Sequence, residues 1–296
     1  MKAQIITILT FFSLTTFAQE KTTISFQLTE YNNISIKAVL NQKDTVQLMF
    51  HTAANSVNLT EVALKKMTSL KFDRIDSVKS WGGNDNTSRF SKSNTLQTGT
   101  LKWENVPIWE DKNSGQHTDG KFGLDLFENK VIEIDFDKKV LIIYSSLPSK
   151  AKNFEKLKLT FENEMMFVEG NVSIGVNNYK NKFLIHSGYA GTILFDDQFV
   201  TINKLGEQLK VIGEKQLKDS FGNILKTKKA ILPFFVIGHL KLDHIPVGFF
   251  EGTIGRQKMS IIGGDVLKRF NIIIDAKREF IYLKSNQLKN SSYFTG

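Results

Sequence analysis

The stretch Leu48-Met49-Phe50-His51-Thr52-Ala53, closing on Leu59, decides how the chain is read, because it returns as Phe183-Leu184-Ile185-His186-Ser187-Gly188, closing on Leu194. Each copy is an apolar run of strand type, a histidine, a hydroxyl residue, a small residue and a second apolar run that ends eight residues after the histidine. The same unusual residue, histidine, stands at the same place in both.

Two further blocks repeat in the same order. Residues 99–108 (GTLKWENVPI) match 238–247 (GHLKLDHIPV), and the Gly123-Leu124-Asp125-Leu126-Phe127 block that runs on to Ile134-Asp135 matches the Gly263-Gly264-Asp265-Val266-Leu267 block that runs on to Ile274-Asp275. His186 lies 135 residues after His51, Gly238 lies 139 after Gly99, and Gly263 lies 140 after Gly123. Chance similarity of short apolar runs does not keep order and spacing together, so the chain is a tandem duplication. Each copy reads mainly as strands, with hairpin signals at 81–84 (WGGN), 221–223 (FGN) and Asn177-Asn178. Short helices are expected to open at Thr60 or Glu61 and at Asp196, and Asp125 and Asp265 stand where helix N-caps would fall. Pro148-Ser149-Lys150 marks the junction between a first lobe, 19–148, and a second, 149–296.

At 296 residues and 41% hydrophobic content the chain buries a large core. Met1-Lys2, an apolar run from Ile5 to Leu14 and Thr16-Phe17-Ala18 predict a signal peptide over 1–18, and hence export to the periplasm or the extracellular space. No later segment is apolar enough for a membrane span. The absence of cysteine excludes disulfides, thiolate metal ligands and a cysteine nucleophile. The net charge of +9 is spread over lysines along the chain without interleaved aromatics, which argues against a nucleic-acid partner.

Taken together, the repeated motif and its companion blocks resemble the bilobal aspartic peptidases, specifically the retropepsin-like type of exported bacterial proteins, over nearly all of the mature chain. The resemblance implies an all-β fold of two tandem acid-protease lobes, each a closed β-barrel with few short helices, and a cleft between them. In that family the histidine positions carry Asp, in Asp-Thr-Gly or Asp-Ser-Gly. The hydroxyls equivalent to Thr52 and Ser187 hydrogen-bond across the lobes, and a later apolar-apolar-Gly element crosses beneath each loop. Ile261-Ile262-Gly263 fits that element; Lys121-Phe122-Gly123 departs from it by placing a lysine at an apolar position. Ala53 replaces the usual glycine, and Trp81-Gly82-Gly83 falls where the first lobe's flap hairpin would cover the cleft.

The family chemistry needs two facing carboxylates that share one proton, the ionised one activating water and the protonated one polarising the scissile carbonyl. Both are absent here, so three readings compete for His51 and His186. The first is a non-peptidase homologue that binds an extended peptide or similar ligand in the cleft, with Thr52, Ala53, Ser187, Gly188 and the Trp81-Gly82-Gly83 turn forming the binding surface and no cofactor required. The second is an atypical hydrolase with an imidazole dyad, which would titrate as a coupled pair. The third is a metal site, for which His117, His239 and His244 are the only further histidines. The matched acids Asp125, Asp135, Asp265 and Asp275 suit turns and helix starts, and Asp44 precedes the first motif strand; none of them replaces the missing pair.

Overall fold

The computed structural model describes residues 21–79, 85–115, 117–218, 224–250 and 257–294. The Trp81-Gly82-Gly83 turn, the Phe221-Gly222-Asn223 turn and the predicted leader 1–18 lie outside them.

The chain folds into two six-stranded barrels built to one plan. In the first, Ile34–Leu40, Asp44–Phe50, Gly120–Phe122, Val57–Thr60, Leu101–Asp111 and Asp85–Thr98 follow one another around the barrel, and Val39 and Leu40 pair with Gln97 and Leu96 to close it. In the second, Met165–Ile174, Asn177–His186, Ser260–Gly263, Ile193–Leu194, Leu240–Phe249 and Ile224–Ile237 take the same order, closed by Asn171–Ser173 against Phe234–Val236. The short apolar-apolar-Gly strands are wedged into the sheet of each motif strand. Gly120–Phe122 runs parallel to Leu48–Phe50, and Ser260–Gly263 runs parallel to Phe183–His186. Period-two apolar residues such as Ile34, Ile36, Ala38 and Leu40 point into the first barrel, and Phe183, Ile185, Phe235 and Ile262 fill the second. Among the described residues no helix is long and apolar enough to cross a membrane.

The duplicated blocks also share their backbone irregularities. Gly99 and Gly238 turn the two hairpins at φ of 55° and 60°, where glycine carries no steric penalty. Asn105 and His244, at the same place in the repeat, are both left-handed, at φ of 56° and 50°. His244 therefore kinks a strand, as its place in a strand-turn block predicts. Thr60 caps the helix Glu61–Leu64 by accepting from the Ala63 N–H, and Asp196 caps Asp197–Ile202 by accepting from the Phe199 N–H, both as expected. The helix that Asp196 opens ends at Ile202, before Gly206, and a separate short helix, Leu205–Gln208, follows it.

Asp125 and Asp265 correct the reading of helix starts. The N-cap residues are Gly123 and Gly263, each extended, and the aspartates sit inside the first turn of Leu124–Phe127 and Gly264–Leu267. The cap must be glycine because a Cβ at Gly123 would meet the Ala54 carbonyl oxygen at 1.8 Å and one at Gly263 the Gly191 carbonyl oxygen at 2.3 Å. The loop that carries each histidine is packed directly on that backbone.

A third layer joins the halves. Lys21–Ser25, Val140–Tyr144 and Val131–Asp135 continue into Phe270–Ile274, Phe280–Ser285 and the start of Glu155–Glu162, so the final strands of both copies form one sheet. At its centre Ile132, Glu133 and Ile134 pair antiparallel with Ile274, Ile273 and Ile272. Glu133 is buried there, and the Tyr144 hydroxyl and the Lys150 ammonium each donate to it at 2.7 Å. This pairing holds the two motif loops in register across the lobe boundary.

Candidate functional site at the paired histidines

The first motif strand, Asp44–Phe50, ends just before His51 and the second, Asn177–His186, ends on His186, and the loop that follows each turns back under it. The Ala54 N–H donates to the His51 carbonyl at 3.0 Å and the Tyr189 N–H to the His186 carbonyl at 3.1 Å. The two loops then exchange four hydrogen bonds with two-fold symmetry. The Thr52 hydroxyl donates to the Ile185 carbonyl at 2.7 Å and accepts from the Ser187 N–H at 3.0 Å. The Ser187 hydroxyl donates to the Phe50 carbonyl at 2.8 Å and accepts from the Thr52 N–H at 3.0 Å. All four are buried, where hydrogen bonds are strong and unmade ones are costly.

This lock brings His51 and His186 together edge to face, with ring centroids 4.5 Å apart and ring planes inclined at 61°. The rings are not equivalent. His51 Nδ1 accepts from the Ala53 N–H at 3.1 Å, which places the proton of the neutral ring on Nε2. His186 Nδ1 is buried and has no hydrogen-bond partner among the described residues. The His51 ring also lies directly over Gly188: a Cβ there would stand 2.2 Å from His51 Cδ2 and 2.4 Å from Nε2. Gly188→Ala is therefore expected to displace the ring and cost about 1–3 kcal/mol by overpacking. Ala53→Gly, at the matching place, should cost less than about 1 kcal/mol, through backbone entropy. Urea denaturation of the two variants checks the asymmetry.

Both imidazoles are held neutral. Burial pulls the His186 pKa down to about 4, and the Lys121 ammonium acts in the same direction. Burial, the neighbouring His186 and then Lys121 hold His51 well below the usual histidine range. Because the unfolded chain binds these protons near pH 6.5 and the folded chain does not, the pair stabilises the fold fully above that pH and loses its contribution as pH falls from about 6.5 toward 4. A His186→Gln variant should show a shallower fall of Tm between pH 7 and pH 4 than the wild type. An unchanged slope would mean that the ring titrates normally.

The source of the positive charge is the lysine that departs from the apolar-apolar-Gly pattern. Lys121 stands opposite Met49 and Asn58 in the strand wedged beneath the first loop, and its ammonium pairs with Asp111 at 2.7 Å. Both side chains are nearly buried, at 14% and 5% exposure, so this is an interior ion pair. The duplication shows what it replaces: the matching residues of the second lobe are Ile261 and Phe250, an apolar pair. Asp111 was not among the residues singled out from the sequence. The charged member of the apolar-apolar-Gly element was the one signal that could have led to it.

The other candidates lie elsewhere. His117 packs on Tyr31 and approaches Glu30 at 3.3 Å, both side chains exposed. His239 is exposed and meets Glu155 at 2.9 Å. Among the described residues no group of three or more His, Asp or Glu is placed to hold a metal ion. Asp44 holds the Thr68 and Ser69 backbone, Asp135 accepts from the Lys138 N–H, and Asp275 from the Glu279 and Phe280 N–H groups. Asp265 is fully buried between Lys268 and Arg269, at 2.8 and 3.3 Å.

No protein-family model matches the chain, and no curated protein matches it in sequence. Among solved structures it is similar to the crystal structure of the aspartic proteinase from Irpex lacteus, with a TM-score of 0.62 and 11% identity over 93% of this chain and 100% of that one. At that identity the likeness establishes the fold: this chain has the pepsin-like bilobal all-β architecture.

Proposed function

We propose that this is an exported, non-proteolytic homologue of the aspartic peptidases that binds an extended peptide or similar ligand between its lobes. The observation that carries the reading is the contrast within one site. The hydroxyl lock that positions the two loops is complete, while both reacting positions carry imidazoles that stay uncharged. Peptide hydrolysis on this scaffold needs one group that takes a proton from water and another that is already protonated. Two neutral rings beside an ammonium offer an acceptor and no acid at neutral pH. They do offer hydrogen bonds: the His51 Nε2–H donates, and the unpartnered His186 Nδ1 accepts from a ligand N–H. A strand-like ligand presents both kinds of partner along its backbone.

The same charge bears on the alternatives. A hydrolytic dyad would reach its mixed protonation state only in acid, near pH 4. A cation bound between the rings would face the Lys121 ammonium and lacks a third side-chain ligand among the described residues.

The test uses the mature chain and a library of fluorescent octapeptides. Anisotropy is read at pH 7, and cleavage of the same peptides and of casein is read from pH 3 to 8. The expected result is saturable binding that weakens at least tenfold in His51→Ala and His186→Ala, without cleavage. Cleavage that disappears in both variants would establish the imidazole dyad instead, and stoichiometric zinc or copper lost in both variants would establish the metal site.

A further inference from the structure

The second lobe contains a recess that the first lobe has filled. It is bounded by Tyr189, Gly191 and Thr192 of the loop after His186, by Pro246–Gly248, and by the hairpin strands Val211–Lys218 and Ile224–Ile237. Lys215 pairs with Thr227, and Lys229 pairs with Gly248. At the matching register of the first lobe Asp76 pairs with Ser88, and Phe90 pairs with Trp109. There the Phe90 and Trp109 rings pack 4.5 Å apart and the Arg74 guanidinium covers Phe90 at 3.7 Å, so aromatic side chains plug the space. In the second lobe the plug is replaced by a lysine and a glycine, and the space stays open.

What lines the opening is polar and positive. The Tyr189 hydroxyl lies against Gly191 and near Gly248 and makes no hydrogen bond to any described residue. Lys215 makes no ion pair among the described residues; its ammonium stands 5.0 Å from the Phe294 ring. Burial and the neighbouring Lys229 hold the Lys215 pKa below the usual lysine range, against the opposing pull of the Asp265 carboxylate. The acids nearby are engaged: Glu214 by Lys228 at 2.8 Å, and Asp265 by Lys268, Arg269 and the Phe294 N–H. Burial pushes the Tyr189 phenol up, so it remains a proton donor.

We propose that this recess is an oxyanion site, in which Lys215 and the Tyr189 hydroxyl hold a carboxylate or phosphate group. An ammonium and a phenol converging on one space match the charge and the lone pairs of such a group. The site begins one residue beyond Gly188 but stands on its own residues, so it goes beyond the cleft reading and does not depend on it.

The experiment follows tyrosine-ring and lysine side-chain resonances of the isotopically labelled mature chain. Glutarate, inorganic phosphate and neutral glutaramide are titrated at constant ionic strength, which removes general screening. Saturable shifts of Tyr189 and Lys215 are expected, with half-saturation near or below about 1 mM for one of the anions and no saturation by glutaramide. Whichever anion saturates first identifies the carboxylate or the phosphate source. Lys215→Gln and Tyr189→Phe should each weaken binding at least tenfold. Unsaturated drift, equal response to glutaramide, or unchanged binding in Lys215→Gln overturns the site. Because the readout sits in the second lobe, failure of peptides to bind near His51 and His186 would leave this result intact.

Discussion

Lys121→Ile is expected to lower the unfolding free energy by about 3–5 kcal/mol, the cost of breaking an interior ion pair by removing one partner. Asp111 is 5% exposed and its carboxylate loses the ammonium 2.7 Å away. Changing both residues at once, Lys121→Met with Asp111→Leu, should recover most of that loss or exceed it, because replacing a buried pair by apolar side chains of similar volume is neutral or stabilising. The second lobe already folds around Ile261 and Phe250 at these places. Urea denaturation of the single and double variants measures both values. The double variant carries a further readout: with the ammonium gone, the titration midpoints of His51 and His186 should rise. A double variant no more stable than the single would show that the pair's worth lies in its geometry.

Ser187→Ala and Thr52→Val form the second case. Ser187→Ala leaves the Thr52 N–H without its acceptor and the Phe50 carbonyl without its donor, both buried. Thr52→Val does the same to the Ser187 N–H and the Ile185 carbonyl. At about 1–3 kcal/mol for each unsatisfied group, each variant should lose about 2–6 kcal/mol. The double variant should lose less than the sum, because once one hydroxyl is gone the loops are free to separate and the other bonds weaken. Ser187→Thr keeps a hydroxyl and should recover part of the loss. Strict additivity would mean that the two loops are held together by other contacts.

The placement of these loops was legible in the sequence for a physical reason. A strand ending on a polar residue, a hydroxyl and a small residue is a local pattern, and its return at near-constant spacing with two companion blocks carries the topology with it. The caps at Thr60 and Asp196 were legible on the same ground. What was hidden depends on pairing between distant strands. Asp111 reaches Lys121 because Leu101–Asp111 lies parallel to Val57–Thr60, which in turn flanks Gly120–Phe122. Nothing local to 111 announces this. The helix starts lie two residues before the aspartates at 125 and 265 because they are set by the backbone crowding against Gly123 and Gly263, a tertiary contact. The open recess became visible only by laying one lobe on the other, since the residues that fill it in the first lobe, Phe90 and Trp109, lie on different strands.

The interior lysine also bears on what a pair of carboxylates could do at the ends of the two motif strands. Two aspartates at 51 and 186 would sit beside a fixed cation that favours the ionised form of each, whereas a shared proton requires one of them to stay neutral. Aspartates placed at both positions would thus be biased toward ionisation, and a third change at 121 would take the ammonium away from Asp111.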